Sequence, residues 1–403
     1  MRPRAIAWRR VRAAIAALAL LLPLHVAAGD ALAPHRVTLA DGRRFDLNLP
    51  AELAIAPALQ GLHRVRFFAR SPDDRIFVTD MHDLSDNSLG VVYILEGWNA
   101  ASGTFSGASP YLSGLRNPNS VAFHADAAGQ QWIYIALTDR LVRYRYAAGD
   151  AHPAAPAEVI ATFPDYGLSY KYGGWHLTRT VVFGDNGKLY VSVGSSCNAC
   201  IEKESVRASI LEMDPDGSHQ RTYARGLRNA VWLAWRDGGL VATNQGADHL
   251  GHERPDETMY RIADGADYGW PHCYLSGGRV RPDPKFPRRS GCSKTPAAFA
   301  HFQAHASALG FDYFAGDPAD PAASALLHDD YLVALHGSTN PRIGHGYKLV
   351  RVDSDGKVED FITGFLAHGT INGRPCGVLR MGRNAFLFSD DRSGVIYYVR
   401  PRT

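Results

Sequence analysis

Cysteine, long helical patterning and an excess of charge of one sign are all scarce in this 403-residue chain. Each scarcity closes off a class of function. Only five cysteines are present. Ile201 stands where a covalent haem site would need a histidine after Cys197-Asn198-Ala199-Cys200, which excludes that attachment. The cysteine pairs lack a clear ligand spacing for tetrahedral zinc. His249-Leu250-Gly251-His252-Glu253 has the wrong order and spacing for a zincin helix. No apolar run beyond the N-terminus is long enough for a membrane helix, so stable membrane insertion is not expected.

The N-terminus has the three parts of a secretory signal. Arg2, Arg4, Arg9, Arg10 and Arg12 form a basic start, residues 13–22 an uncharged Ala/Leu-rich run, and Val26-Ala27-Ala28 a small-residue cleavage site. A signal peptide over 1–28 is therefore expected, with a periplasmic or secreted location for the remainder. That segment holds five arginines and no acid. The rest carries 38 basic against 40 acidic residues, a formal charge of −2 instead of the whole chain's +3. The basicity belongs to the signal and gives no reason to expect nucleic-acid binding. In an exported protein the cysteines predict two local disulfides, Cys197 with Cys200 and Cys273 with Cys292, and leave Cys376 over.

What recurs instead of helices is a short apolar run, a turn, and a second apolar run. Six such units begin near residues 65, 119, 179, 230, 309 and 377. One reads Val181-Val182-Phe183, Asp185-Asn186-Gly187, then Leu189-Tyr190-Val191-Ser192-Val193, a strand–turn–strand signature. Each unit is followed by a further apolar strand, such as Val92-Tyr93-Ile94-Leu95 or Ile396-Tyr397-Tyr398-Val399. A repeat of roughly 40–60 residues with long inserts predicts an all-β, six-bladed β-propeller. No flexible linker interrupts the units, so 29–403 is read as one domain. The stretch from Val37 to Leu47 is expected to supply a strand that closes the ring with the last unit and removes an exposed edge.

Four polar clusters interrupt the strands at their ends, where propeller loops form a cup. Gly173-Gly174-Trp175-His176-Leu177-Thr178-Arg179 brings a histidine whose ordinary pKa suits proton transfer near neutral pH. Gly226-Leu227-Arg228-Asn229 pairs a fixed cation with an amide, which suits a quinone or carboxylate. Asn244-Gln245-Gly246-Ala247-Asp248, with Asp256 and Glu257 beyond, can turn successive carbonyl oxygens toward a hard cation such as calcium. Two late loops add arginines: His336-Gly337-Ser338-Thr339-Asn340-Pro341-Arg342 and Asn372-Gly373-Arg374-Pro375-Cys376-Gly377.

Together with Gly187-Lys188-Leu189-Tyr190, Cys197-Asn198-Ala199-Cys200 and Asp267-Tyr268-Gly269-Trp270-Pro271, these clusters resemble the soluble pyrroloquinoline quinone (PQQ)-dependent sugar dehydrogenases, the glucose/sorbosone dehydrogenase family. The resemblance covers nearly all of the chain after the signal. The cysteine-containing loop looks like the sorbosone branch. The resemblance implies bound quinone and calcium and oxidation of an aldose or a sugar aldehyde. His176 would be the general base, and Arg228 would sit beside the reactive carbonyl. Asn229, Arg342 and Arg374 would be cofactor contacts, and Gly246 and Ala247 would be calcium ligands through their carbonyls. Tyr268 and Trp270 would form the substrate wall, with Asn119 a further candidate substrate contact. A separate electron acceptor, a cytochrome or a quinone, is the expected partner. Two departures bear on substrate: Trp175 stands where the glucose enzymes carry an acid before the histidine, and Cys376 where they carry a second arginine. Two other readings remain open: a calcium-dependent lactone hydrolase on a similar propeller, and a non-catalytic propeller that binds a partner.

Overall fold

A computed structural model describes residues 32–165, 176–288, 290–316 and 326–402. The expected signal segment and Trp175 lie outside the described residues. Six four-stranded antiparallel meanders are arranged as the blades of a β-propeller. Blade 1 is built from Val65–Arg70, Ile76–Asp80, Gly90–Glu96 and Gly107–Leu115. Blade 2 follows with Ser120–Ala125, Gln131–Ala136, Arg140–Arg145 and Glu158–Thr162. Blade 3 is Val181–Phe183, Leu189–Val193, Ser209–Met213 and Arg221–Arg225. Blade 4 is Ala230–Arg236, Gly239–Asn244, Glu257–Ile262 and Ala300–Phe302. Blade 5 is Ala308–Phe314, Asp330–Leu335, Lys348–Val352 and Val358–Ile362. Pro375–Arg380, Phe386–Asp390 and Val395–Pro401 give three strands of blade 6.

Its fourth strand comes from the start of the chain: Leu53–Leu59 pairs antiparallel with Val395–Pro401. The closing strand is therefore not in the stretch from Val37 to Leu47. That stretch belongs to a separate hairpin, Leu32–Thr38 with Arg44–Pro50. Its alternation buries Val37, Phe45, Leu47 and Leu49 against the outer part of blades 5 and 6.

The second strand of a blade has neighbours on both faces. Ile76–Asp80, Leu189–Val193, Asp330–Leu335 and Phe386–Asp390 are buried at every position. This is why they read as unbroken apolar runs and not as alternating ones. Gly187, at φ +74°, lets the tight turn between the first two strands of blade 3 form without strain. The apolar core is divided among the gaps between adjacent blades. Phe77, Val92, Ile133 and Ile135 fill one gap, and Tyr134, Leu189, Val191 and Leu211 the next.

Around the axis, hydroxyls stitch blades together. Thr79 Oγ1 donates to Asn119 O at 2.9 Å, Thr180 Oγ1 to Val231 O at 2.5 Å, and Thr243 Oγ1 to Leu309 O at 2.6 Å. Ser389 Oγ donates to Arg66 O at 2.5 Å.

Both expected disulfides are present, and Cys376 is buried and free. Cys273–Cys292 ties down a long insert between the third and fourth strands of blade 4, with a sequence separation of 19. Closing a loop of that size is worth about 3 kcal/mol through the unfolded chain. The double variant Cys273→Ser/Cys292→Ser is expected to lose about that much in a denaturant melt. An unchanged midpoint would count against this account. Among the described residues no helix is long and apolar enough to cross a membrane.

Candidate functional site

In a four-stranded meander, the connection between blades and the connection between second and third strands emerge at the same end. All the polar clusters singled out in the sequence, except the Tyr268–Trp270 region, lie on these two kinds of loop. The topology therefore gathers them on one face. There, His176, Arg228, Gln245, Gly246, Glu257 and Arg374 are among the residues lining an open cup of about 210 Å³.

His176 precedes the first strand of blade 3 in a left-handed conformation, φ +26°. Its Nδ1 donates to Ser195 O at 2.9 Å and lies 3.0 Å from Ser195 Oγ. With the proton on Nδ1, Nε2 is the basic nitrogen. Gly194 makes this approach possible: a Cβ there would lie 2.5 Å from His176 Cβ and 2.6 Å from Asn229 Oδ1. The histidine pKa is held well below its ordinary value. Burial is the main cause, followed by the positive charge of Arg228, with Arg179 and Arg207 adding to it; the Ser195 hydrogen bond opposes the shift. A neutral imidazole at neutral pH is the form a base needs.

Arg228 is buried, and its pKa is lowered by burial against the pull of Asp248 and Glu257. Its Nε donates to Asn198 O at 2.8 Å and its Nη2 to Asn198 Oδ1 at 3.0 Å; Asp248 Oδ2 is 3.7 Å away. Asn229 lies behind the cup, where its Nδ2 donates to Gln245 Oε1 at 2.8 Å. Gly246 lines the cup, whereas Ala247 faces an adjoining side pocket. Beneath Gly246, buried Glu257 accepts Gly246 N at 3.3 Å. Burial pushes Glu257 up to about 8 against the pull of Arg228.

The other expected residues separate. Arg374 lines the cup, but its guanidinium donates to the carbonyls of His336 at 3.1 Å, of Gly337, and of Ser338 at 2.7 Å. Arg342 is exposed on the loop whose Thr339 and Ile343 reach the cup. Tyr268 and Trp270 wall the side pocket, which shares Arg228, Gln245 and Gly246 with the cup. The Tyr268 hydroxyl is occupied by Arg261 O at 2.9 Å and Ala263 N at 3.0 Å. Asn119 is fully buried in the channel wall, with its amide on Arg179 O at 3.2 Å and Thr180 Oγ1 at 3.1 Å.

Sequence reasoning did not single out the residues that hold the site together. Glu257 was named with the Gly246 cluster; the residues given no role are Ser195, Asn198 and Asp391. Asp391 is fully buried and pairs with Arg66 Nη1 at 2.9 Å, Arg64 Nη1 at 3.4 Å and His336 Nε2 at 2.7 Å. Two adjacent acids after an apolar strand, Asp390-Asp391, were the available signal: a carboxylate buried next to a cup must have cationic partners.

No protein-family model matches the sequence, and no curated protein matches it. Solved structures do match in fold. The holo form of the pyranose dehydrogenase PQQ domain from Coprinopsis cinerea superposes with TM-score 0.70 at 19% identity, covering 89% of this chain and 98% of that one. A calcium structure of the Trichoderma reesei carbohydrate-active enzyme family AA12 gives 0.69 at 17% identity, covering 93% and 98%. The PQQ-bound aldose sugar dehydrogenase from Streptomyces coelicolor gives 0.59 at 19% identity, covering 88% and 100%. The chain shares their propeller fold.

Proposed function

We propose that this protein is an exported, PQQ- and calcium-dependent oxidoreductase acting on an aldose or on a sugar aldehyde of the sorbosone type. The observation that carries the reading is one cup that brings a neutral histidine, a buried arginine and the Gly246 shelf together. The bound quinone and calcium of the fold neighbours support the same reading.

The donor set fits both groups. Glu257 is a carboxylate buried below the shelf with a pKa of about 8, an environment that a divalent cation would relieve. The Gly246 and Ala247 carbonyls would offer that cation further oxygens beside Glu257. Arg228, with the polar residues Ser307 and Thr339 lining the same cup, suits an anionic, carbonyl-bearing planar group. Arg374 would act mainly by fixing the His336–Ser338 turn, since its bonds already go there.

When bound, the quinone supplies the two-electron acceptor for hydride leaving the substrate carbon. The protein's part is proton handling and charge. Nε2 of His176 would take the hydroxyl proton, while Ser195 holds the ring and its tautomer. Arg228 would stabilise negative charge gathering opposite the base. A calcium-dependent lactone hydrolase would need several acidic ligands facing the cup; Asp248 and Glu257 are the carboxylates lining it.

The decisive experiment is titration of apo-protein with PQQ and calcium, followed by dye reduction over a panel of aldoses and aldehydes. No absorbance change at stoichiometric quinone would sink the reading. Glu257→Gln is expected to raise the melting temperature of the calcium-free protein slightly at neutral pH, because it removes a carboxyl group that must take up a proton to be buried. It should also shrink the rise produced by calcium at least by half. An equal calcium response in variant and wild type would remove Glu257 from the cation site.

A further inference from the structure

Arg228 is held by a turn that a disulfide closes. Cys197 and Cys200 close a four-residue turn between the second and third strands of blade 3. Asn198 stands inside it and offers two acceptors to one guanidinium: its carbonyl to Nε at 2.8 Å and its Oδ1 to Nη2 at 3.0 Å. The same Oδ1 accepts Asp248 N at 2.9 Å, so one side chain joins Arg228 to the residue following the Gly246–Ala247 shelf.

The other end of the turn reaches the histidine. Ser195 Oγ donates to Cys197 O at 2.7 Å, Ser195 O accepts His176 Nδ1, and Ser195 N donates to Arg228 O at 2.8 Å. Glu202 clamps Ser196 through its backbone N and its hydroxyl, both at 2.7 Å. His176, Arg228 and the shelf are thus all anchored to one small covalent ring.

The energetics favour a rigid anchor. Asn198 has to present its carbonyl and its side chain sideways to a cation, an arrangement that a free turn would lose among many others. The short disulfide ring removes those alternatives. Arg228 is buried, so an acceptor taken from it is not replaced by bulk water and the cation is left under-bonded.

We propose that Asn198, held by the Cys197–Cys200 disulfide, is the positioning residue that aims Arg228 into the cup, and that opening this disulfide releases Arg228 and disables the site. Opening requires an external dithiol. The S–S bond breaks, two S–H bonds form with two electrons and two protons from the reductant, and the reductant becomes a disulfide. This inference rests on the reading of Arg228 as a residue that acts on bound quinone.

The test compares wild type, Asn198→Ala, Asn198→Asp and Cys197→Ser/Cys200→Ser, each loaded with PQQ and calcium. Quinone affinity is read by absorbance titration, turnover with a dye and a responsive sugar, and folding by thermal melt. Asn198→Ala is expected to weaken quinone binding and to lower kcat by about tenfold to a hundredfold, the scale of one hydrogen bond to a buried charge, while KM for the sugar moves far less. Asn198→Asp keeps the acceptor for Arg228 and Asp248 N and should recover most of both losses. The double serine variant should resemble Asn198→Ala. So should wild type treated with a dithiol, with alkylation counting the new thiols. Performing the reduction in the Cys273→Ser/Cys292→Ser background confines it to the one remaining disulfide. Wild-type affinity and kcat in Asn198→Ala, or equal impairment in Asn198→Asp and Asn198→Ala, would overturn the proposal. If wild type itself fails to bind quinone, it is the functional reading that falls.

Discussion

Replacing His176 with alanine should lower kcat by about a hundredfold to ten-thousandfold, the usual contribution of a positioned general base, while quinone binding stays within a few-fold of wild type. The split follows from the geometry. The ring is fixed through Nδ1 by Ser195, and the charge proposed to face the quinone is that of Arg228, whose own partners are Asn198 and Asp248. Removing the imidazole leaves those contacts in place. The pH dependence carries a second part of the expectation. Burial and the charges of Arg228, Arg179 and Arg207 keep the His176 pKa well below its ordinary value. His176 therefore stays neutral as pH falls through the range where a free histidine would protonate. The acid limb of kcat/KM should lie below the ordinary imidazole range, and it should be absent from whatever residual activity the variant retains. Dye-coupled turnover followed from pH 8 down to about pH 4 checks both. A variant that keeps more than about a tenth of wild-type kcat would remove His176 from the role of base.

Asp391→Ala should destabilise the fold by about 3–5 kcal/mol, the cost of stripping one partner from a buried ion cluster. Arg64 and Arg66 come from the entry to blade 1, His336 from blade 5 and Asp391 from blade 6. The carboxylate therefore neutralises two arginines at the start of blade 1 and bonds His336 of blade 5, tying three blades together around one end of the channel. The pH response has a definite sign. Asp391 is held far below its ordinary value: burial opposes this, and the charges of His336, Arg66 and Arg64 outweigh it. His336 is lowered to about 4, because burial together with Arg374 and Arg66 outweighs the pull of Asp391. Both groups bind protons less readily folded than unfolded. Their stabilisation is complete above the ordinary histidine pKa and drains away as pH falls. His336 alone implies a loss of about 2–3 kcal/mol between pH 7 and pH 4.5. Asp391 adds to the loss at still lower pH. Chemical denaturation at pH 7 and 4.5 measures this. A flat profile in wild type, or a drop below 1 kcal/mol in the variant, would contradict the cluster's role.

The blades were legible because their second strands are packed on both faces and so appear in the sequence as uninterrupted apolar runs. The strand that completes blade 6 was not. Leu53–Leu59 carries Pro57 and lies outermost, where a missing N–H is tolerated. The better alternation between Val37 and Leu47 belongs to a hairpin on the flank. At the site, His176, Arg228, Gly246 and Arg374 could be gathered because loops between blades and loops between second and third strands share one end of a propeller. Asn198 and Asp391 could not, since their importance lies in partners 30 and 325 positions away. Nothing in the local sequence marks a carbonyl as aimed at a distant guanidinium.

Blade 6 also gives the chain a particular order of assembly. Five blades are each made of neighbouring segments and can form as soon as those segments exist. The sixth joins Leu53–Leu59, which precedes blade 1, to Val395–Pro401, which follows the other five blades in sequence. Until then the leading strand has no edge to lie against, and the ring stays an open arc with two unpaired borders. Those borders are the parts of the polypeptide most exposed to wrong partners during biogenesis.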